Sequence, residues 1–88
     1  MNDLLEQYEK ELTECLEKFD VKELDNFMDK WYELHVIGGS VYANWIMTSR
    51  IIKKATMCKM IVHKENLSKK TKEKAKKWLR QNHFSQVL

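Results

Sequence analysis

The sequence predicts an all-α fold, a compact four-helix domain spanning residues 1–88 and opening with an antiparallel helical hairpin. Three observations carry that expectation. Apolar residues recur at spacings of three and four, which places them on one face of a helix. The chain has no proline and a single glycine pair, Gly38-Gly39, whereas a strand-rich domain of this length needs many turn residues. Hydrophobic residues make up 43% and charged residues 33%, a balance that suits a folded globule rather than a disordered tail. Eighty-eight residues accommodate one domain and not two.

The elements follow in order. Asp3 and Glu6 resemble a capping box, and Leu5, Tyr8, Leu12, Cys15 and Phe19 form one seam, predicting a first helix over about residues 3–18. Asp20 and Glu23 repeat the start signal, and Leu24, Phe27, Trp31 and Leu34 repeat the seam, with Met28 widening it. Gly38 is placed to end the second helix in the left-handed conformation. Ser40 is the next N-cap candidate, with Val41, Trp45, Ile52 and Ala55 on one side of a third, central helix that ends near His63. From Met57 the phase is lost, because Met57, Cys58, Met60, Ile61 and Val62 cannot share one face. That end is buried all round, kinked, or in contact with a partner. Ser68 caps a fourth helix running to about Gln81, which packs through Ala75, Trp78 and Leu79, and Phe84, Val87 and Leu88 form an apolar tail.

Charge is divided unevenly along this chain. Residues 1–40 carry eleven acids and four bases, net −7; residues 41–88 carry twelve bases and two acids, net +10. The last helix concentrates the positive end in Lys69, Lys70, Lys72, Lys74, Lys76, Lys77 and Arg80, interrupted only by Glu73. Like charges at i,i+4 repel by a few tenths of a kcal/mol. Cations in a first turn oppose the helix dipole by roughly 0.3–1 kcal/mol. Three beneficiaries of that local cost are open: the acidic hairpin, within one chain or across a homodimer; nucleic-acid phosphate; or an acidic surface on another protein. The candidate contact residues are Arg50, Lys53, Lys54, Lys70, Lys74, Lys77 and Arg80, joined by the apolar surplus at Met57 and Ile61.

Other chemistries find little support. A helix-turn-helix centred on Gly38 or Gly39 would put Leu34 or His35 where a small residue belongs. His35, His63, His83, Cys15 and Cys58 lack the spacing of a zinc framework, so no metal or other cofactor is expected. No nucleophile–base arrangement, paired carboxylates or glycine-rich phosphate loop is apparent, so catalysis is not expected. Trp31, Trp45 and Trp78 fit core stripes, leaving Tyr32 and Tyr42 as the aromatic surface candidates. Cys15 reads as a reduced core thiol, and no apolar run approaches the ~20 residues of a membrane span. A soluble, cytoplasmic protein with no membrane partner is expected.

The segment from Lys59-Met60-Ile61-Val62-His63 through Leu67-Ser68 to Lys77-Trp78-Leu79-Arg80 and Phe84-Ser85 resembles the ends of small proteins encoded by phages and prophages of Gram-positive bacteria. The resemblance covers roughly residues 56–86 and brings no site residues with it. It implies stoichiometric binding that blocks or adjusts a host or phage protein. The expected function is a non-catalytic factor that docks on another protein and modulates or inhibits it. The alternative is a nucleic-acid-binding accessory protein using the basic half.

Overall fold

The apolar seams become helices in the computed structural model, which describes residues 3–84 and has no strand among them. There are five helices: α1 Asp3–Glu17, α2 Val21–Glu33, α3 Gly39–Met47, α4 Arg50–His63 and α5 Lys69–Gln81. The expected count was four. The expected third helix divides at Thr48-Ser49, where both residues are extended, with ψ of 138° and 155°. The Thr48 hydroxyl donates to the Asn44 carbonyl at 2.6 Å, a side-chain bond that competes with helix continuation. The chain therefore turns, and the single face drawn through Val41, Trp45, Ile52 and Ala55 does not exist. Trp45 and Ala55 are buried, while Val41 and Ile52 are exposed.

Helices α1 and α2 are joined at Lys18–Asp20, and their contacts recede from that link on both helices together. Lys18 meets Glu23, Glu11 meets Lys30, and the Tyr8 ring packs on Phe27 and edge-on to Trp31. Asp20 caps α2 as expected, its carboxylate accepting from the Lys22 amide at 3.0 Å. Leu12, Cys15, Leu16, Val21, Leu24, Phe27 and Trp31 are the buried residues of this pair, whereas Leu34 is exposed.

The exit from α2 differs from the glycine expected there. His35 takes the left-handed conformation, φ 61°, and Gly38 is extended as the N-cap of α3. The His35 and Val36 amides donate to the Tyr32 and Trp31 carbonyls, the two bonds of a Schellman ending. Ser40 consequently lies inside the first turn of α3 rather than before it. The same ending closes α5, where His83 (φ 65°) and Phe84 donate to the Arg80 and Leu79 carbonyls.

α4 is the central helix, packed on α2 and on α5. Its out-of-phase end is resolved by burial on more than one side. Met57, Cys58 and Ile61 are fully buried, and Met60 and Val62 pack partly buried against the same core. α5 seals that core through Thr71, Ala75 and Leu79, while Trp78 is half-buried and stacked on Phe84 at 5.9 Å. The other two tail residues expected to fold back, Val87 and Leu88, lie outside the described residues. Both cysteines are free and buried, and burial pushes each thiol up to about 11. The body measures 37 × 28 × 19 Å, and no described helix is long and apolar enough to cross a membrane.

Candidate docking surface

α5 is fixed to the body by a cluster at its first turn. Ser68 caps it, the hydroxyl accepting from the Thr71 amide at 3.2 Å. Glu17, the last residue of α1, then accepts from the Ser68 amide (2.6 Å), the Ser68 hydroxyl (3.1 Å) and the Thr71 hydroxyl (2.6 Å). These bonds, the Thr71 hydroxyl first, hold the Glu17 carboxyl below its ordinary value. An acid at a helix N-terminus also offsets the dipole that Lys69, Lys70 and Lys72 oppose. One carboxylate from the acidic half thus anchors the basic helix by its end.

The rest of α5 is not neutralised this way. Two ion pairs among the described residues join the acidic half to the basic half, Lys53–Asp25 at 3.1 Å and Lys64–Glu9 at 2.7 Å, and both leave α5 untouched. Among the described residues, the ion pair on α5 is Lys76 with Glu73, at 3.8 Å along the same helix. Lys70, Lys74, Lys77 and Arg80 are exposed, with Lys69 beside them. The first three recur at i, i+4 and i+7, so they form one row on the face away from Ala75 and Leu79.

The remaining candidates separate. Arg50 is exposed at the start of α4, and with Ile51, Lys54, Asp20, Val21 and Trp78 it lines an open hollow of about 460 Å³. Lys53 is drawn inward: its ammonium pairs with Asp25, which also accepts from the Trp45 indole at 2.8 Å. Lys54 lies 3.8 Å from the Phe19 ring centroid and donates to the Phe19 carbonyl at 3.1 Å. Burial lowers its ammonium from the ordinary lysine value. Lys53 and Lys54 therefore fasten α4 to α2 and to the link between α1 and α2, and are not free cations. Met57 and Ile61, offered as an apolar contact patch, are fully buried and cannot meet a partner in this fold. The two candidate surface tyrosines stack on each other at 4.1 Å, and the Tyr42 hydroxyl donates to Asp29 at 2.5 Å, which raises the phenol's pKa.

Exposed apolar residues lie elsewhere: Leu4 and Leu5 at the start of α1, the latter expected in its seam, Leu34 after α2, and a group of five, Val41, Ile46, Met47, Ile51 and Ile52, around α3 and the first turn of α4. Periodicity placed Val41 and Ile52 in the core because it assumed one unbroken helix. A signal was available in the sequence: residues 36–49 contain no charged side chain, in a chain one-third charged.

No group of three or more possible metal ligands gathers among the described residues. Compared with known proteins, the chain matches no family model, no curated protein and no solved structure.

Proposed function

We propose that this chain is a non-catalytic binding protein that docks on an acidic surface of another protein and modulates or inhibits it. The observation that carries this reading is the exposed cation row Lys70, Lys74, Lys77 and Arg80, which has no acid partner among the described residues although the first half of the chain is rich in acids. Arg50 extends the positive surface at the start of α4. Ile51 and Trp78, which share its hollow, add the apolar contact expected of a protein partner rather than of phosphate alone. The phage and prophage resemblance of residues 56–86 points the same way, toward a host or phage protein as target.

The test is affinity capture with the full chain, followed by calorimetric titration of the purified captured protein. The Lys70/Lys74/Lys77→Glu variant is expected to bind it at least tenfold more weakly, with the wild-type affinity falling as salt rises. Equal affinity of the two proteins removes α5 from the interface, and failure to retain a stoichiometric partner contradicts the reading.

The lysine row also favours a second reading, sequence-independent binding of nucleic acid. Lysines meet phosphates as point charges and carry no base readout. With about four phosphates neutralised, the logarithm of the duplex binding constant should fall with that of salt concentration at a slope near −3.6. No binding of single- or double-stranded DNA at low salt ends that reading.

A further inference from the structure

We propose that α3 is a self-association surface, on which two copies of this chain pack α3 against α3 in antiparallel orientation around a two-fold axis. The first ground is exposure. α3 buries only Trp45; Met47 is 84% exposed and Val41 and Ile46 are each 54% exposed. With Trp45 and Tyr42 on the inner side, helical geometry puts Ser40, Ala43, Asn44 and Met47 on the outer arc, with Val41 on one flank of it and Ile46 on the other. Ala43 is at the midpoint of the helix, where a small side chain allows a second helix to come close.

The second ground is charge, and it selects a second copy as the occupant. A two-fold contact sets each surface against itself. The α1–α2 pair would oppose acid to acid, and α5 would oppose base to base. The α3 face, within the uncharged run 36–49, can meet its own copy without like-charge repulsion. Its two ends are nevertheless oppositely flanked, by Asp29 and Glu33 at the end of α2 and by Arg50 at the start of α4. Antiparallel pairing directs the acidic flank of one copy toward Arg50 of the other.

Size sets the strength. A standard interface takes about 800 Å² from each partner, roughly 13% of this molecule's 5971 Å². A nine-residue helix with the adjoining first turn of α4 supplies less, so the dimer should dissociate in the micromolar range or above.

Sedimentation equilibrium of the full chain from about 5 to 500 µM tests the pairing. The wild type is expected to dimerise reversibly, and Met47→Glu to raise the dissociation constant at least tenfold while its circular dichroism melt stays unchanged. A wild type that is monomeric throughout, or a Met47→Glu protein that dimerises equally, overturns the proposal. Ala43→Cys tests the geometry. Helix axes about 8–10 Å apart put facing Cα atoms about 3.4–5.4 Å apart near the two-fold axis, and the upper part of that span, from axes about 9 Å or more apart, is within disulfide range. Oxidised glutathione should therefore link Ala43→Cys into a covalent dimer faster than the exposed control Glu14→Cys. Buried Cys15 and Cys58 do not compete. Linking no faster than the control overturns the antiparallel arrangement.

Discussion

Replacing Thr71 by valine isolates the bonds that fasten the basic helix. Valine keeps the β-branched shape and removes only the hydroxyl, which donates to Glu17 at 2.6 Å and, at 3.0 Å, shares with Glu17 the single proton of the Ser68 hydroxyl. Thr71 is 5% exposed, so water cannot fully replace these partners. A typical internal hydrogen bond contributes about 0.5–1.5 kcal/mol, and the two together about 1–2 kcal/mol once the solvent access of Glu17 is discounted. A domain of this size loses roughly 4–8 °C of melting temperature per kcal/mol. Urea unfolding followed by circular dichroism measures the loss directly. The sign of its pH dependence is also fixed. Glu17 is held below its ordinary value in the folded state, so its contribution is present above the unfolded pKa and is lost as pH falls through the folded one. The gap between wild type and Thr71→Val should therefore be full at pH 7 and shrink below about pH 4. A variant as stable as wild type at pH 7, or a gap that grows on acidification, refutes the assignment of Glu17, Ser68 and Thr71 as the anchor of α5.

Other perturbations have equally definite outcomes. Ser68→Ala, which removes the cap of α5, should cost about 0.5–2 kcal/mol in the same unfolding assay, while Ser40→Ala, inside the first turn of α3, should cost little. His35→Gly and His83→Gly should each stabilise by about 0.5–1 kcal/mol. Glycine relieves a left-handed cost of about 1–2 kcal/mol and gives back part of it as chain entropy. A loss on either substitution contradicts the Schellman endings. Cys15 and Cys58 should resist a thiol-specific disulfide reagent at pH 8 until urea unfolds the chain, because burial holds both thiols protonated; labelling within the mixing time would contradict that burial. Lys70/Lys74/Lys77→Glu should leave stability within about 1 kcal/mol of wild type, since exposed, unpaired side chains contribute little; a larger loss would reveal acid partners for this row.

The parts of this fold that were legible in the sequence are those where one local signal met no competitor. Asp20 and Ser68 cap helices because their side chains accept amide bonds whatever surrounds them, and the Leu24, Phe27 and Trp31 seam needs only a helix to reach one face. The fold class follows from such elements. The break at Thr48-Ser49 was not legible, because neither residue is a strong helix breaker and a threonine hydroxyl that bonds the carbonyl four residues back also occurs inside continuous helices. The error then propagated: one unbroken helix put Val41 and Ile52 inside. Met57 and Ile61 seemed surplus only because α2 covers the central helix on one side and α5 on another, which leaves solvent the strip of Ile52, Thr56, Lys59 and His63. In the same way, Lys53 and Lys54 read as free cations until Asp25 and the Phe19 carbonyl stood beside them. The α5 row was legible because a helix this rich in lysine has only a narrow apolar arc to bury, through Ala75 and Leu79.

The central claim is that the positive field is localised on α5 and open to a partner, and not a diffuse property of a basic chain. Heparin, a sulfated polyanion, reports it directly through the salt needed for elution. Lys70/Lys74/Lys77→Glu is to be compared with Lys10/Lys22/Lys59→Glu, which reverses three exposed lysines on other helices and reaches the same formal charge. Elution of the second variant near the wild-type salt concentration, with the first unretained, is the predicted result; equal losses from both would contradict the claim.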